Sequence, residues 1–252
     1  IKIAPAGTLA AMTGDGAVGW STAQAETLRT AAAYASASSA FGLDTSFGDS
    51  VYSADISHAY TLAKVGTNTL TLAGKNTITN LQVRAGTLTL GASSTNAFAS
   101  VFVTGGQAPT LDVKGPLTLV NYGSVTNGGA VGDRSVMRIA TNLTIVAPGN
   151  ASVAAGKLFV GTGAGATGAV YQTAGRVSVS AGLMYTDFVS IGNYGGYGYY
   201  RMTGGELASG EIGITGAGSG GNVGVFDLYG GSVSNDGAGF LIGWSQGVGV
   251  LN

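Results

Sequence analysis

The tetrapeptide TLTL stands at Thr69–Leu72 and again at positions 87–90, each time close behind a glycine. Repetition at so short an interval restricts what this chain can fold into more than any other feature, because a repeated segment calls for a repeated structure. The C-terminal half repeats more loosely. Four consecutive stretches, 158–182, 189–211, 212–237 and 240–252, each open with a β-rich step near an apolar-glycine pair and pass through a glycine-rich loop. The first three place an aromatic at Tyr171, Tyr200 or Phe226, with a glycine four residues later at Gly175, Gly204 or Gly230. The period is roughly 22 to 31 residues. A unit of two or three short strands cannot close a core alone, whereas stacked copies can. The expected architecture is therefore an all-β solenoid of parallel coils, with eight or nine coils and a length of roughly 40 Å at about 4.8 Å per coil.

Local patterning agrees. Apolar and polar residues alternate in Leu81-Gln82-Val83-Arg84, Leu117-Thr118-Leu119, Leu143-Thr144-Ile145 and Val177-Ser178-Val179-Ser180, as in strands with one buried face. Turn signals such as Ala73-Gly74, Pro148-Gly149-Asn150 and Asp236-Gly237 separate them. In the TLTL copies Leu70, Leu72, Leu88 and Leu90 are expected inward and the threonines outward. One helix is expected, from Ser21 to about Tyr34, with Ser21 as N-cap and Gln24 completing a capping box. Its apolar face, Ala25, Leu28, Ala32 and Ala35, is narrow and suits capping something larger. The chain thus divides into an N-terminal segment, 1–42, with the capping helix, and coils over 43–252.

Composition excludes several classes. Glycine supplies 45 of 252 residues and charged residues only 9%, which leaves little material for surface helices. An apolar fraction of 45% argues against disorder. With 11 basic and 12 acidic residues and no polybasic run, nucleic acid is not an expected partner. No apolar stretch is long enough for a membrane-spanning helix, and a secretion leader reads as already removed. The lack of cysteine removes disulfides, thiol nucleophiles and thiolate metal sites.

The run from 42 to 91 resembles the autotransporter-associated β-strand repeat of large secreted or surface-bound bacterial proteins. That pattern is close to LTKxGxGTLTLxGxNTYTGxTxVxxGTLxLG, matched here by Leu62, Lys64, Gly66, Thr69–Leu72, Gly74, Asn76, Thr77, Val83, Gly86, Thr87, Leu88, Leu90 and Gly91. Lys75, residues 78–80 and Gln82 depart from it. The upstream helical segment is similar to what precedes the repeat in long members. The coils over 43–157 look repeat-like, and the glycine-rich coils of 158–252 resemble degenerate copies. The resemblance implies a right-handed parallel β-helix, export to the bacterial cell surface or beyond, and a structural or adhesive role without catalytic residues or cofactor.

Few residues invite a chemical reading. His58 lies near Asp55 and Ser57, but a turn residue on the surface is the simpler account than a catalytic base. Polysaccharide-degrading enzymes need paired carboxylates, and here Asp112, Asp133, Glu206, Glu211, Asp227 and Asp236 are scattered. The run GTGAGATG at 161–168 lacks the ending of a phosphate loop and reads as corner turns. No metal cluster is suggested. The most provocative patch is NYGGYGYYRMTGG, where Tyr194, Tyr197, Tyr199 and Arg201 form a candidate contact or glycan-stacking surface, extended by Phe240 and Trp244. Tyr200 is expected inward with Tyr171 and Phe226. The last repeat stops partway, so either more chain follows or a partner copy completes it. The functional expectation is a non-catalytic surface protein, a filament or sheath subunit joining head to tail or to other surface proteins. The alternatives are a glycan-binding module and a polysaccharide-degrading enzyme.

Overall fold

The computed structural model describes residues 1–14, 18–146, 157–180, 188–215, 220–244 and 246–252. The turn expected at Pro148-Gly149-Asn150 and the last residues of the 158–182 copy lie outside them. Among the described residues there is one helix, Thr22–Ala31, and the rest of the regular structure is strand. Alternating side chains and the scarcity of helix-forming runs lead to short strands with one buried face, and every strand pairing is parallel.

Three columns of strands result. The first runs from Thr8–Met12 through Ala40–Asp44, 61–64, 80–83, 100–103, 124–127, Lys157–Thr162, Phe188–Asn193 and 212–214 to 239–242. The second runs from Ser50–Tyr52 through Thr69–Leu72, 87–90, 110–113, Arg134–Ile139, Thr167–Gln172, Tyr197–Met202 and Val223–Leu228 to Val248–Leu251. The third runs from 56–58 through 75–78, 95–98, 117–119, Leu143–Val146, Arg176–Ser180 and 206–209 to 232–235. The chain visits first, second and third column in turn and then returns one rung further on. Long strands such as Lys75–Leu90 and Thr95–Val113 bend through corners and serve several columns. The pairings therefore link all strands but Lys2–Ile3 and Ala33–Tyr34 into one closed network. This all-β, parallel, closed arrangement with a single helix is what the expected solenoid has in common with the structure.

The core is a set of side-chain rows perpendicular to the strands. One row runs Leu62, Leu81, Val101, Val125, Leu158, Val189, Ile212, all essentially inaccessible to solvent. The TLTL copies are successive rungs of the second column: Thr69 pairs with Thr87, Leu70 with Leu88, Thr71 with Thr89 and Leu72 with Leu90, and the four leucines are buried as expected. A polar row also runs inside. Asn76 Nδ2 donates to Asn96 Oδ1 at 2.8 Å, and Asn96 Nδ2 donates to the Pro116 carbonyl at 3.1 Å. Such amide ladders stabilise stacked strands because each amide satisfies the next.

In the C-terminal half the rungs keep the expected spacing, Leu158 pairing with Val189, Val189 with Ile212 and Ile212 with Phe240. Elsewhere the step varies more widely: Asn76 and Asn96 lie 20 apart, and Asn142 contacts Arg176 across a step of 34. Two expectations need correction. Tyr171 is not inward with Tyr200 and Phe226, because Val170 is the residue paired with Tyr200, and Tyr171 faces outward beside Arg201. The helix ends at Ala31 rather than near Tyr34, because Ala33–Tyr34 pairs with Lys2–Ile3 as a strand. The strand Ala40–Asp44 pairs with Thr8–Met12.

The helix covers one end of the stack. Ser21 and Gln24 form the full capping box. Thr22 Oγ1 donates to the Val51 carbonyl, and Glu26 accepts from the Tyr52 hydroxyl. Arg29 Nη1 donates to the Ser57 carbonyl at 3.0 Å. These contacts seat the helix over the first rungs of the second and third columns, where Tyr52 and Ile56 are buried. The other end has no such cover among the described residues: Ile242 and Leu251, which continue the inward rows of Ile214 and Phe226, are 50% and 44% exposed.

Candidate functional site

The outward face of the second column carries the tyrosine patch. Alternation along Tyr197–Met202 turns Gly198, Tyr200 and Met202 inward and leaves Tyr197, Tyr199 and Arg201 outward. Inward glycines hold this face flat. A Cβ at Gly198 would lie 2.3 Å from the Val160 carbonyl oxygen, so no side chain fits at that position. Parallel pairing then aligns outward residues across rungs: Asp112, Arg138, Tyr171, Arg201 and Asp227 form one row, and Ala169, Tyr199, Val225 and Val250 the next.

Within this face the polar groups fix one another. The Tyr199 hydroxyl donates to Asp227 Oδ2 at 2.7 Å, and Asn252 Nδ2 donates to Asp227 Oδ1 at 2.7 Å. Those two hydrogen bonds hold the Asp227 carboxyl below its ordinary pKa, while burial and then the bond to Asp227 push Tyr199 up to about 12. The Tyr171 ring meets the Tyr199 ring edge-on at 5.8 Å. Arg201 makes no ion pair with Asp227 among the described residues and instead lies 4.9 Å from the centre of the Tyr229 ring. Tyr229 and Tyr197 are 68% and 41% exposed. Tyr194 sits at the preceding corner with φ of 48° and is also exposed.

The structure thus brings together Tyr197, Tyr199 and Arg201 on one face. It adds Tyr171, Asp227, Tyr229 and Asn252, which the sequence reading did not group with them. The signal for those was the period of two combined with the rung step, and it requires the correct register. Phe240, expected to extend the patch, instead pairs with the buried Ile212 and stacks on Phe226 at 6.4 Å, at the end of the core. Trp244 is exposed in the following turn.

The carboxylates stay apart. Asp112 and Asp227 share a row but are separated by Arg138, Tyr171 and Arg201, and Asp112 pairs with Lys114 at 3.2 Å. Glu206 stands on the third column beside Arg176 at 3.5 Å. Asp133 is spent on backbone, accepting from the N–H groups of Gly105, Gly129 and Ala130. The side chain of Asp236 falls outside the described set. Residues 161–168 link two strands through a turn, with no helix following.

His58 is not a surface turn residue. It lies in the strand Ile56–Val65, is buried, and its Nδ1 is 3.3 Å from Arg29 Nη1, so this nitrogen accepts and the ring is neutral. Burial first, and the Arg29 charge second, lower its pKa to about 4. Tyr34 and Tyr60 rings pack around it. Asp55 is directed elsewhere, accepting from the Lys75 N–H at 2.7 Å, so no triad exists. Burial raises the Glu26 carboxyl, but hydrogen bonds from Arg29 and Tyr52 outweigh it and leave the group below its ordinary value. This cluster fastens the helix. Lys64 is equally structural: it is buried, and its ammonium donates to the carbonyls of Val65, Gly66 and Ala85 at 2.8–3.0 Å. Among the described residues no helix is long and apolar enough to cross a membrane, and no three His, Asp or Glu side chains gather as metal ligands. Comparison with known proteins finds no matching family model, no matching curated protein and no matching solved structure.

Proposed function

We propose that this chain is a non-catalytic structural or adhesive protein of the bacterial cell surface, built as a right-handed parallel β-helix of the autotransporter-associated repeat kind. The observation that carries the reading is the three-column stack with its unbroken apolar rows, a construction whose evident product is stiffness and length. The right hand follows the strong preference of parallel strand crossovers within one sheet. The carboxylates of Asp112, Asp133, Glu206 and Asp227, engaged by a basic side chain, backbone groups or a tyrosine, favour a mechanical role over hydrolysis.

Assembly would use the end bearing Ile242 and Leu251, where unpaired strand edges and exposed inward positions accept a further rung. That rung belongs either to continuing chain or to a second copy joined head to tail. In the second case the joint is heterologous and propagates as a filament unless its rotation closes. Because the helix occupies the opposite end, a head-to-tail joint needs that helix to shift or to form part of the contact. Negative-stain micrographs of the purified protein test this. The expected result is rods whose lengths are multiples of about 40 Å. Single short rods under every condition would remove the filament version, and release of product from neutral or acidic polysaccharides would overturn the non-catalytic reading.

A further inference from the structure

We infer that the outward face of the second column binds an uncharged polysaccharide through Tyr197, Tyr199, Arg201 and Tyr229. This goes beyond the mechanical reading and does not depend on assembly. A pyranose ring offers an apolar C–H face and a rim of hydroxyls, and it is recognised by flat aromatic rings flanked by hydrogen-bond donors and acceptors. The face supplies these in a fixed array. Tyr197 and Tyr199 are two residues apart on one strand, so their side chains leave the same face about 6.6 Å from each other, and neighbouring rungs follow at about 4.8 Å. Asp227 is the positioning residue: nearly buried, it tethers the Tyr199 hydroxyl at 2.7 Å and leaves that oxygen free to accept from a ligand. Arg201, exposed and stacked on Tyr229, presents guanidinium donors at the edge of the aromatic surface.

Charge decides the ligand class. Over the four rungs from Thr167–Gln172 to Val248–Leu251 the face carries one cation, Arg201, and one anion, Asp227, which sit one rung apart and cancel, so this stretch attracts neither acidic glycans nor nucleic acid. Rigidity adds to affinity: the row of inward glycines and the tethered tyrosine leave little to be ordered when a ligand arrives.

Affinity electrophoresis of the full chain in gels containing a soluble β-glucan, a mannan or a galactomannan, with polygalacturonate as the acidic comparison, tests the inference. Retardation by at least one neutral polymer is expected. Tyr197→Ala and Tyr199→Ala should each weaken it about tenfold, the loss of one stacked ring. Tyr199→Phe, which keeps the ring and loses the tether, should weaken it about threefold. Arg201→Gln serves the same test should Tyr199→Ala fail to fold, and Phe159→Ala, on the first column, should bind as wild type. Thermal melts confirm that each variant is folded. No retardation by any neutral polymer, binding to polygalacturonate alone, or unchanged binding in folded Tyr197→Ala and Tyr199→Phe overturns the proposal. Rods that form normally in that event leave the mechanical reading intact.

Discussion

Two residues show how the stack constrains its parts. Gly205 has φ of 87°, and a Cβ there would lie 2.3 Å from the Gly175 carbonyl oxygen of the neighbouring rung. Gly205→Ala is expected to cost more than about 3 kcal/mol, combining left-handed strain with a backbone clash. Gly106→Ala, where a Cβ meets nothing within 4 Å, should stay within about 0.5 kcal/mol of wild type. Urea midpoints of the two variants measure the difference. His58 gives a pH signature. Its folded pKa of about 4 lies below the ordinary 6.5, so between those values the unfolded chain binds more protons than the folded one. Stability is full above pH 6.5 and declines as pH falls towards 4, by about 2 kcal/mol after allowance for residual contact with water. His58→Phe should flatten that part of the urea midpoint profile. Glu26, whose pKa is depressed, adds a further loss at lower pH that the variant should retain.

His58 also marks a limit of sequence reading. Its burial depends on Arg29 and Tyr34 arriving from a helix and another strand far away in sequence, and nothing within a few residues of His58 announces them. Lys64 is similar, since a buried lysine whose partners are three backbone carbonyls leaves no trace in side-chain patterning. The leucines of TLTL were legible because one face of a strand must be apolar and the repeat supplied the register.

Among elements, the helix is the one that differs in kind from the rest. Ser21→Ala removes the capping box and should cost about 1 kcal/mol. In a stack whose units touch only their neighbours the damage stays local. Hydrogen exchange is therefore expected to quicken in Ser50–Tyr52 and 56–58, beneath the helix, while Thr167–Gln172 keeps its protection. The helix start was legible from Ser21 and Gln24. Its end was not, because Ala32 to Tyr34 suit a helix locally and are drawn into a strand by Lys2–Ile3, far away in sequence. The one-residue error at Tyr171 has a related cause. Aligning aromatic with aromatic matched Tyr171 to Tyr200, but the alternation of faces aligns Val170 with Tyr200, and a slip of one exchanges inside for outside. That exchange hid the candidate surface: with Tyr171 assigned to the core, the row joining Arg138, Tyr171, Arg201 and Asp227 was invisible.

At the scale of the whole molecule, an unusual composition still produces an ordinary degree of burial. The accessible surface is 10116 Å², against about 10,200 Å² for a typical folded protein of this mass. Glycine makes this possible by letting rungs approach at corners where a side chain would hold them apart. Some of the few charged residues fasten the structure, as Arg29 fastens the helix and Asp133 fastens a turn. The end covered by the helix also gives the molecule a direction in time as well as in space. A chain delivered from its N-terminus can complete its lid and first circuit early, and each later segment then meets a finished template. Folding becomes vectorial, and a rung once laid down hinders the backward slippage of the segment that formed it.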